Sequence, residues 1–408
     1  MKFENTLTSR TQFRDALIIN LGLLVLGVLL QYFLGNIPKQ YVSFPYNIGA
    51  GVGFVLVWTL IFYFFKQKKI ISLLDSSPFA IVTTIVLGFL SIGLGVFNVA
   101  PESTYYNTLN KLGVNQITTT WYFALIFFIL LVNLWLSILK RALVFQAKNI
   151  TFLLNHFGLW LALFAGVLGQ GDLTKLKMTL QDGRPEWRAV DENGHVVELP
   201  LALELKKFEM EIYPNKLFLI DEKGETLPKS KPDGFMLEKI GAIHTFEDWE
   251  VKLVEYVQNA VIVRENTYAK NPMWGATNAA KVIVKNKKTQ EQKEEWISCG
   301  NFMFPPKAIK LSENRTLVMS PPEAKKYQSD VLIYQKESSK VEEGKILVNQ
   351  PLEVNGWKIY QVSYNENLGR WSDISVLELV LDPWLPLVYI GIFILMLGTI
   401  SFLFQNRK

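Results

Sequence analysis

The chain has a single cysteine, Cys299, and only three histidines in 408 residues. One cysteine excludes an intramolecular disulfide and any Cys-x-x-Cys redox pair within this chain. Cys299, in Trp296-Ile297-Ser298-Cys299-Gly300, reads as a small residue packed in a β-domain. The histidines, His156, His195 and His244, are not at metal-ligand spacing. There is no P-loop and no dinucleotide fingerprint. No nucleophile stands beside a base, and the carboxylates are scattered as solvated faces would be, so no self-contained enzyme site is legible. No basic, aromatic-studded stripe points to nucleic acid. A net charge of +5 is ordinary for a membrane protein with a positive inner face.

Charge is also scarce over long stretches at both ends of the chain. About six runs are long and apolar enough to span a bilayer as helices: Ala16–Leu34, Ile48–Phe65, Phe79–Phe97, Thr119–Leu139, Ile150–Gly169 and Trp384–Phe404. No small-x-small cleavage site follows the first run, which is therefore read as a retained helix. Arg10 and Arg14 precede the first run, and Lys66, Lys68 and Lys69 follow the second. Lys140, Arg141 and Lys148 lie between the fourth and fifth, and Arg407 and Lys408 end the chain. All of these fall on one side, which the positive-inside rule makes cytoplasmic, with both termini there. The expected architecture is an α-helical integral membrane protein with a large extracytoplasmic, mostly-β domain. Its divisions are a five-helix membrane domain over 1–170, a β-rich domain over 171–382 and a closing helix over 383–408. The implied location is the inner (cytoplasmic) membrane, with the large domain periplasmic.

The middle segment alternates apolar and polar residues with the period of half-buried strands. Trp249–Tyr256, Lys281–Val284, Val331–Tyr334, Trp357–Val362 and Ser375–Leu381 all show this pattern. Asp191-Glu192-Asn193-Gly194, Asp221-Glu222-Lys223-Gly224 and Asn355-Gly356 read as tight turns. A sandwich or an open barrel is expected. The connection from Asn98 to Thr118, with Pro101, Tyr105 and Tyr106, reads as a small outer cap.

Against this background His156 stands out, because it is the only histidine in any apolar run. An ionisable side chain in hydrocarbon is costly, so it is a functional candidate by default. It can carry a proton, ligate a metal such as haem iron, or simply bond another helix. It lies about ten ångströms in from the cytoplasmic end of its helix, at about 1.5 Å per residue. Trp160, four residues on, shares its face, and adjacent Asn155 is placed to bond a neighbouring helix. His195, beside a hairpin turn, and His244 read as surface residues. Trp121, Trp135, Trp160, Trp384 and Tyr389 lie in or beside spans, where most such rings are interfacial anchors. Gly49-x-Gly51-x-Gly53 is explained by helix packing.

The chain resembles the ResB (CcsB) family of System II cytochrome c biogenesis proteins. The resemblance is carried by Trp121-Tyr122-Phe123 through Asn133-Leu134 to Lys140-Arg141, and by His156-Phe157-Gly158-Leu159 through Gly166. It continues in Trp249–Tyr256 and Asn278–Val284, and is most specific in Asn349–Glu353 and Gly356–Tyr364. It covers about residues 119 to 404. The family plan is three helices, a large outer domain and one closing helix, so two helices near the start here are additional. The resemblance implies a ResC (CcsA) partner, outward movement of haem b, bound in passing, and its attachment to the Cys-x-x-Cys-His motif of apocytochrome c. A thioredoxin-like reductase of the same pathway is a further implied partner. The tryptophan-rich haem signature of the partner is absent, so the chain is expected to be a non-ligating subunit of a holocytochrome c synthase. His156 takes the place of the family's transmembrane histidine, an axial ligand to haem iron, with Trp160 beside it. Arg141 and Lys148 are positioned for the haem propionates or act as ordinary anchors. A cofactor-free scaffold that recruits assembly partners is the alternative. A proton-coupled transporter ranks last, because the spans contain almost no other charged groups.

Overall fold

The computed structural model describes residues 2–96, 106–144, 146, 149–264, 267–336 and 338–405. Pro101, Tyr105, Lys148, Arg407 and Lys408 lie outside them. The chain divides into two compact units, one over 1–173 and 381–408 and the other over 174–380.

The first unit is helical: α1 (Lys2–Leu34), α2 (Tyr46–Phe65), α3 (Lys69–Leu74), α4 (Ser77–Val96), α5 (Tyr106–Lys111), α6 (Trp121–Ala142), α7 (Ile150–Leu168) and α8 (Leu385–Gln405). Among the described residues five helical segments, containing α1, α2, α6, α7 and α8, are long and apolar enough to cross a membrane, and α4 is apolar over Ser77–Gly93. The expected runs are helical where described, save Thr120 just before α6 and Trp384 just before α8. The helix α1 begins well before its apolar run, and the short α3 was not anticipated.

Local chemistry sets the ends of α6. The Thr120 hydroxyl accepts from the Phe123 N–H at its start, and Lys140 and Arg141 sit in its last turn beside the negative end of the helix dipole. The α6 helix is the hub, packing on α1, α2, α4 and α7. Phe54, Phe62, Phe79, Leu131, Leu136 and Trp160 are buried together between these helices. Many outward apolar residues of α1, α2, α4 and α8 are exposed, as lipid-facing side chains are. Several polar groups inside bond across helices. Asn20 Nδ2 donates to Thr83 Oγ1 at 3.1 Å, tying α1 to α4. Asn133 Nδ2 donates to the Leu74 and Ser76 carbonyls at 2.6 and 3.3 Å, seating the turn after α3 against α6.

The second unit is all β. Its strands are β1 (Thr174–Gln181), β2 (Pro185–Val190), β3 (Val196–Ile212), β4 (Lys216–Ile220), β5 (Gly234–Met236), β6 (Ile243–Phe246), β7 (Trp249–Arg264), β8 (Thr267–Lys270) and β9 (Thr277–Asn286). They continue with β10 (Gln292–Ser298), β11 (Ile309–Ser312), β12 (Arg315–Met319), β13 (Ala324–Gln335), β14 (Ser338–Leu347), β15 (Leu352–Val354), β16 (Trp357–Tyr364) and β17 (Ile374–Leu381). An eight-stranded sheet runs β14-β13-β3-β2-β1-β17-β16-β15. Its end strands approach one another, β14 against β15 and β16, so the sheet nearly closes on itself. A four-stranded sheet, β11-β12-β4-β5, packs on a five-stranded one, β10-β9-β7-β6 with β8 on β7. Leu217, Leu219, Leu317, Val251, Leu253 and Val282 interleave between them. The unit is therefore both a near-closed barrel and a small sandwich. Each strand read from period-two alternation is present. Asn355 and Gly356 both have positive φ and join β15 to β16 as a two-residue hairpin with Val354 opposite Trp357.

Candidate functional site

The α7 helix presents three different faces. The first packs on α8 at backbone range. A Cβ on Gly158 would lie 2.7 Å from Gly391 O, and one on Gly391 would lie 2.8 Å from Gly158 O. Such close crossing is the use of small residues in membrane helices. Towards the start of α7 it brings polar side chains together, with Thr151 Oγ1 2.7 Å from Ser401 Oγ and Thr399 Oγ1 donating to Asn155 Oδ1 at 3.1 Å. Asn155 thus bonds a neighbouring helix, as expected. Gly51 of α2 packs on Leu168 and Phe164, while Gly49 and Gly53 face open space.

The second face is aromatic. Trp160 is 4% exposed and stacks on Phe164 at 4.3 Å and Trp135 at 4.5 Å between ring centroids. Its indole N–H has no hydrogen-bond partner among the described residues. Trp135 donates to Thr59 Oγ1 at 3.1 Å. Both tryptophans are inside the helix cluster, and neither has the exposed setting of an interfacial anchor.

His156 lies on the third face and is half-buried. Its Nδ1 is 3.0 Å from the Phe152 carbonyl one turn earlier. A carbonyl can only accept, so Nδ1 carries the proton and the neutral ring keeps its lone pair on Nε2. Nε2 has no protein partner among the described residues. The ring is stacked on Phe152 with centroids 3.6 Å apart, and the Arg141 guanidinium lies 4.8 Å from the Phe152 centroid. Arg141 also reaches Asn149 Oδ1 at 3.4 Å and forms no ion pair among the described residues. A fixed imidazole, a bare nitrogen and an uncompensated cation therefore line one strip of α7. Trp160 is one turn away, but its ring turns towards α2 and α6, and no described ring contact joins it to His156.

A second polar centre was not read from the sequence. Asp172, just past α7, accepts from Phe44 N–H at 2.7 Å, Asn47 Nδ2 at 2.6 Å and Trp384 Nε1 at 2.7 Å. Lys39 donates to the neighbouring Leu173 carbonyl at 2.9 Å. Burial alone would push the Asp172 carboxyl up. The three donors and the charge of Lys39 outweigh it and hold the group below its ordinary value. One carboxylate thereby fixes where α7 ends, α2 begins and α8 begins. The signal for it was only a lone Asp after Gly169-Gln170-Gly171, which read as a chain exit.

The other candidates are structural. His195 Nδ1 is 3.2 Å from Asp191 in an exposed turn, and His244 Nε2 is 2.9 Å from Asp233 beside the Phe235 and Phe246 rings. Cys299 is half-buried at the end of β10, with Sγ 3.4 Å from Thr277 Oγ1.

The ResB-like family model matches residues 257–371. Over that stretch the chain is similar to the ResB-like family. This supports a role in cytochrome c biogenesis. No curated protein matches the chain significantly. The matched stretch runs from β7 to the turn before β17 and includes three segments that carried the resemblance: Asn278–Val284, Asn349–Glu353 and Gly356–Tyr364. His156 and Trp160 lie outside it.

Proposed function

We propose that this chain is the haem-handling subunit of a System II cytochrome c synthase. In this reading His156 receives haem b within the membrane through Nε2, and the haem passes outward to the Cys-x-x-Cys-His motif of apocytochrome c. The observation that carries the reading is the Nδ1 bond of His156 to Phe152, which fixes the tautomer in which Nε2 is the free donor. A metal-ligating histidine commonly uses its other nitrogen in this way. Arg141, one ring further along the same strip, is placed for a haem propionate, since a guanidinium pairs a carboxylate through a planar fork. Trp160, in the neighbouring aromatic cluster, forms the apolar backing. A ResC (CcsA) partner covers the third face of α7, and a thioredoxin-like reductase keeps the apocytochrome thiols reduced. Lys66, Lys68, Lys69, Lys140 and Arg141 face the cytoplasm, and the β unit is periplasmic.

The test is an absorption spectrum of the detergent-purified protein, co-expressed with its ResC partner, as wild type and His156→Gly with and without imidazole. A Soret band lost in the variant and restored by imidazole is expected. Arg141→Gln should lower haem occupancy and leave the band position unchanged, because the axial ligand remains. A Soret band identical in wild type and His156→Gly would remove His156 as the ligand. A colourless complex throughout would favour a cofactor-free scaffold that recruits assembly partners.

A further inference from the structure

The β unit holds a guanidinium with no acid to match it. Arg370, in the turn between β16 and β17, is half-buried and forms no ion pair among the described residues. Its Nη2 donates to Ala276 O at 2.9 Å and reaches Asn278 Oδ1 at 3.4 Å. The Trp371 indole donates to the same Ala276 carbonyl at 3.1 Å, so the turn is pinned from behind. Nε and Nη1 have no partner among the described residues. Burial holds the guanidinium below its usual value.

Arg370 lines a cleft of about 310 Å³. The floor is a paired stretch of two strands, with Met210 opposite Tyr327 and Glu209 opposite Gln328, next to a register shift at the start of β13. Lys326 lies on the rim, is exposed and also forms no ion pair among the described residues. The two acids in the lining are already matched. Glu209 pairs with Lys207 and accepts from Gln328 Nε2 at 3.0 Å, and Glu211 is 3.8 Å from Lys325. Lys326 stands directly opposite Glu211 in the ladder, so the uncompensated positive charge in the cleft is that of Arg370, with Lys326 beside it on the rim. Met210 and Tyr327 supply an apolar surface beside it, and Tyr327 is braced by Tyr364 at 5.2 Å and Phe208 at 6.3 Å between ring centroids.

We propose that this cleft binds an acidic peptide segment, taking an Asp or Glu carboxylate on Arg370 with support from Lys326 and an adjoining apolar side chain on Met210 and Tyr327. The volume is at the low end of ligand sites, which suits one or two side chains of a polypeptide better than a whole tetrapyrrole. A bidentate charge-assisted pair fixes the orientation of the bound carboxylate.

The test is fluorescence anisotropy on the full-length protein in detergent with two labelled hexapeptides. One carries Asp and Glu flanking Phe, and the other replaces the acids by Asn and Gln. The acidic peptide should bind and the amide peptide should bind about tenfold or more weakly. Lys326→Gln, a change on an exposed side chain, should weaken the acidic peptide severalfold without altering the circular dichroism melt. Arg370→Gln should weaken it about tenfold or more, and Arg370→Lys should recover part of the loss. Equal binding of both peptides, or unchanged affinity in both Lys326→Gln and Arg370→Gln, overturns the proposal. Binding of haemin that depends on Arg370, with no binding of the acidic peptide, overturns it in favour of a propionate site.

Discussion

Two alanine substitutions on α7, less than three turns apart, should have opposite effects. A Cβ at position 158 would meet Gly391 O at 2.7 Å and Leu395 Cα at 2.9 Å, where ordinary contact begins at 3.4 Å. The nearest obstacle is backbone, Leu395 N, which has no rotamer to change, so α8 must retreat by about 1 Å at that level. Overpacking of this kind costs about 1–3 kcal/mol. A Cβ at position 166 meets nothing within 4 Å. Both changes gain the same helix propensity, about 1 kcal/mol for Gly to Ala. Gly158→Ala should therefore be neutral to about 2 kcal/mol less stable than wild type, and Gly166→Ala up to about 1 kcal/mol more stable. The difference between the two isolates the steric cost, because propensity cancels. Equilibrium unfolding of the detergent-solubilised chain, followed by tryptophan fluorescence, measures it. The Asn155–Thr399 and Thr151–Ser401 contacts lie next to the crossing, one after the other on its side nearer the start of α7, so double mutants with Thr399→Val should show coupling. Equal stability of the two alanine variants within about 0.5 kcal/mol would refute the backbone-range packing of α7 on α8.

Asp172 sets a dependence on acid. Its folded pKa lies below the ordinary 3.8, so its contribution to stability is full above that value and is lost as pH falls through the lower folded one. Unfolding midpoints between about pH 3 and pH 6 should decline towards acid in wild type. The decline should be shallower in Asp172→Asn, which should also be less stable at neutral pH; an unchanged pH slope would contradict the assignment. Asn133→Leu should cost about 1–3 kcal/mol, because it leaves the Leu74 carbonyl without its donor inside the helix cluster, and a thermal melt at neutral pH measures the loss.

The elements that were legible are those whose signal is local. Each membrane helix is a run long enough to need no context, and strands such as Trp249–Tyr256 and Trp357–Val362 alternate because one face is buried and the other wet. The Asn-Gly hairpin at 355–356 is written in its two residues. The six-residue α3 is too short to show a period, and β14 begins with Ser338-Ser339-Lys340 and carries charges on both of its faces. The position of His156 in a span was visible, but the bond that selects its tautomer depends on a rotamer. Asp172, Asn47 and Trp384 are separated in sequence by 125 and 212 positions, and no pattern in a single chain announces that they meet. The same is true of Gly158 and Gly391. Trp384 read as an anchor at a membrane surface because its environment, a carboxylate held for it by α7, belongs to another part of the chain.

In the large sheet, β1 lies directly beside β17. The first strand of the β unit to be made is therefore completed by the last, about two hundred residues later. At ordinary synthesis rates that is about 10 to 40 s, during which β1 has one edge without its neighbour. The barrel cannot be finished until the start of α8 is itself emerging. A protein truncated between Tyr364 and Ile374 should lack a strand in the middle of its sheet, not at its rim, and so should be recognised as unfinished whatever else it has folded.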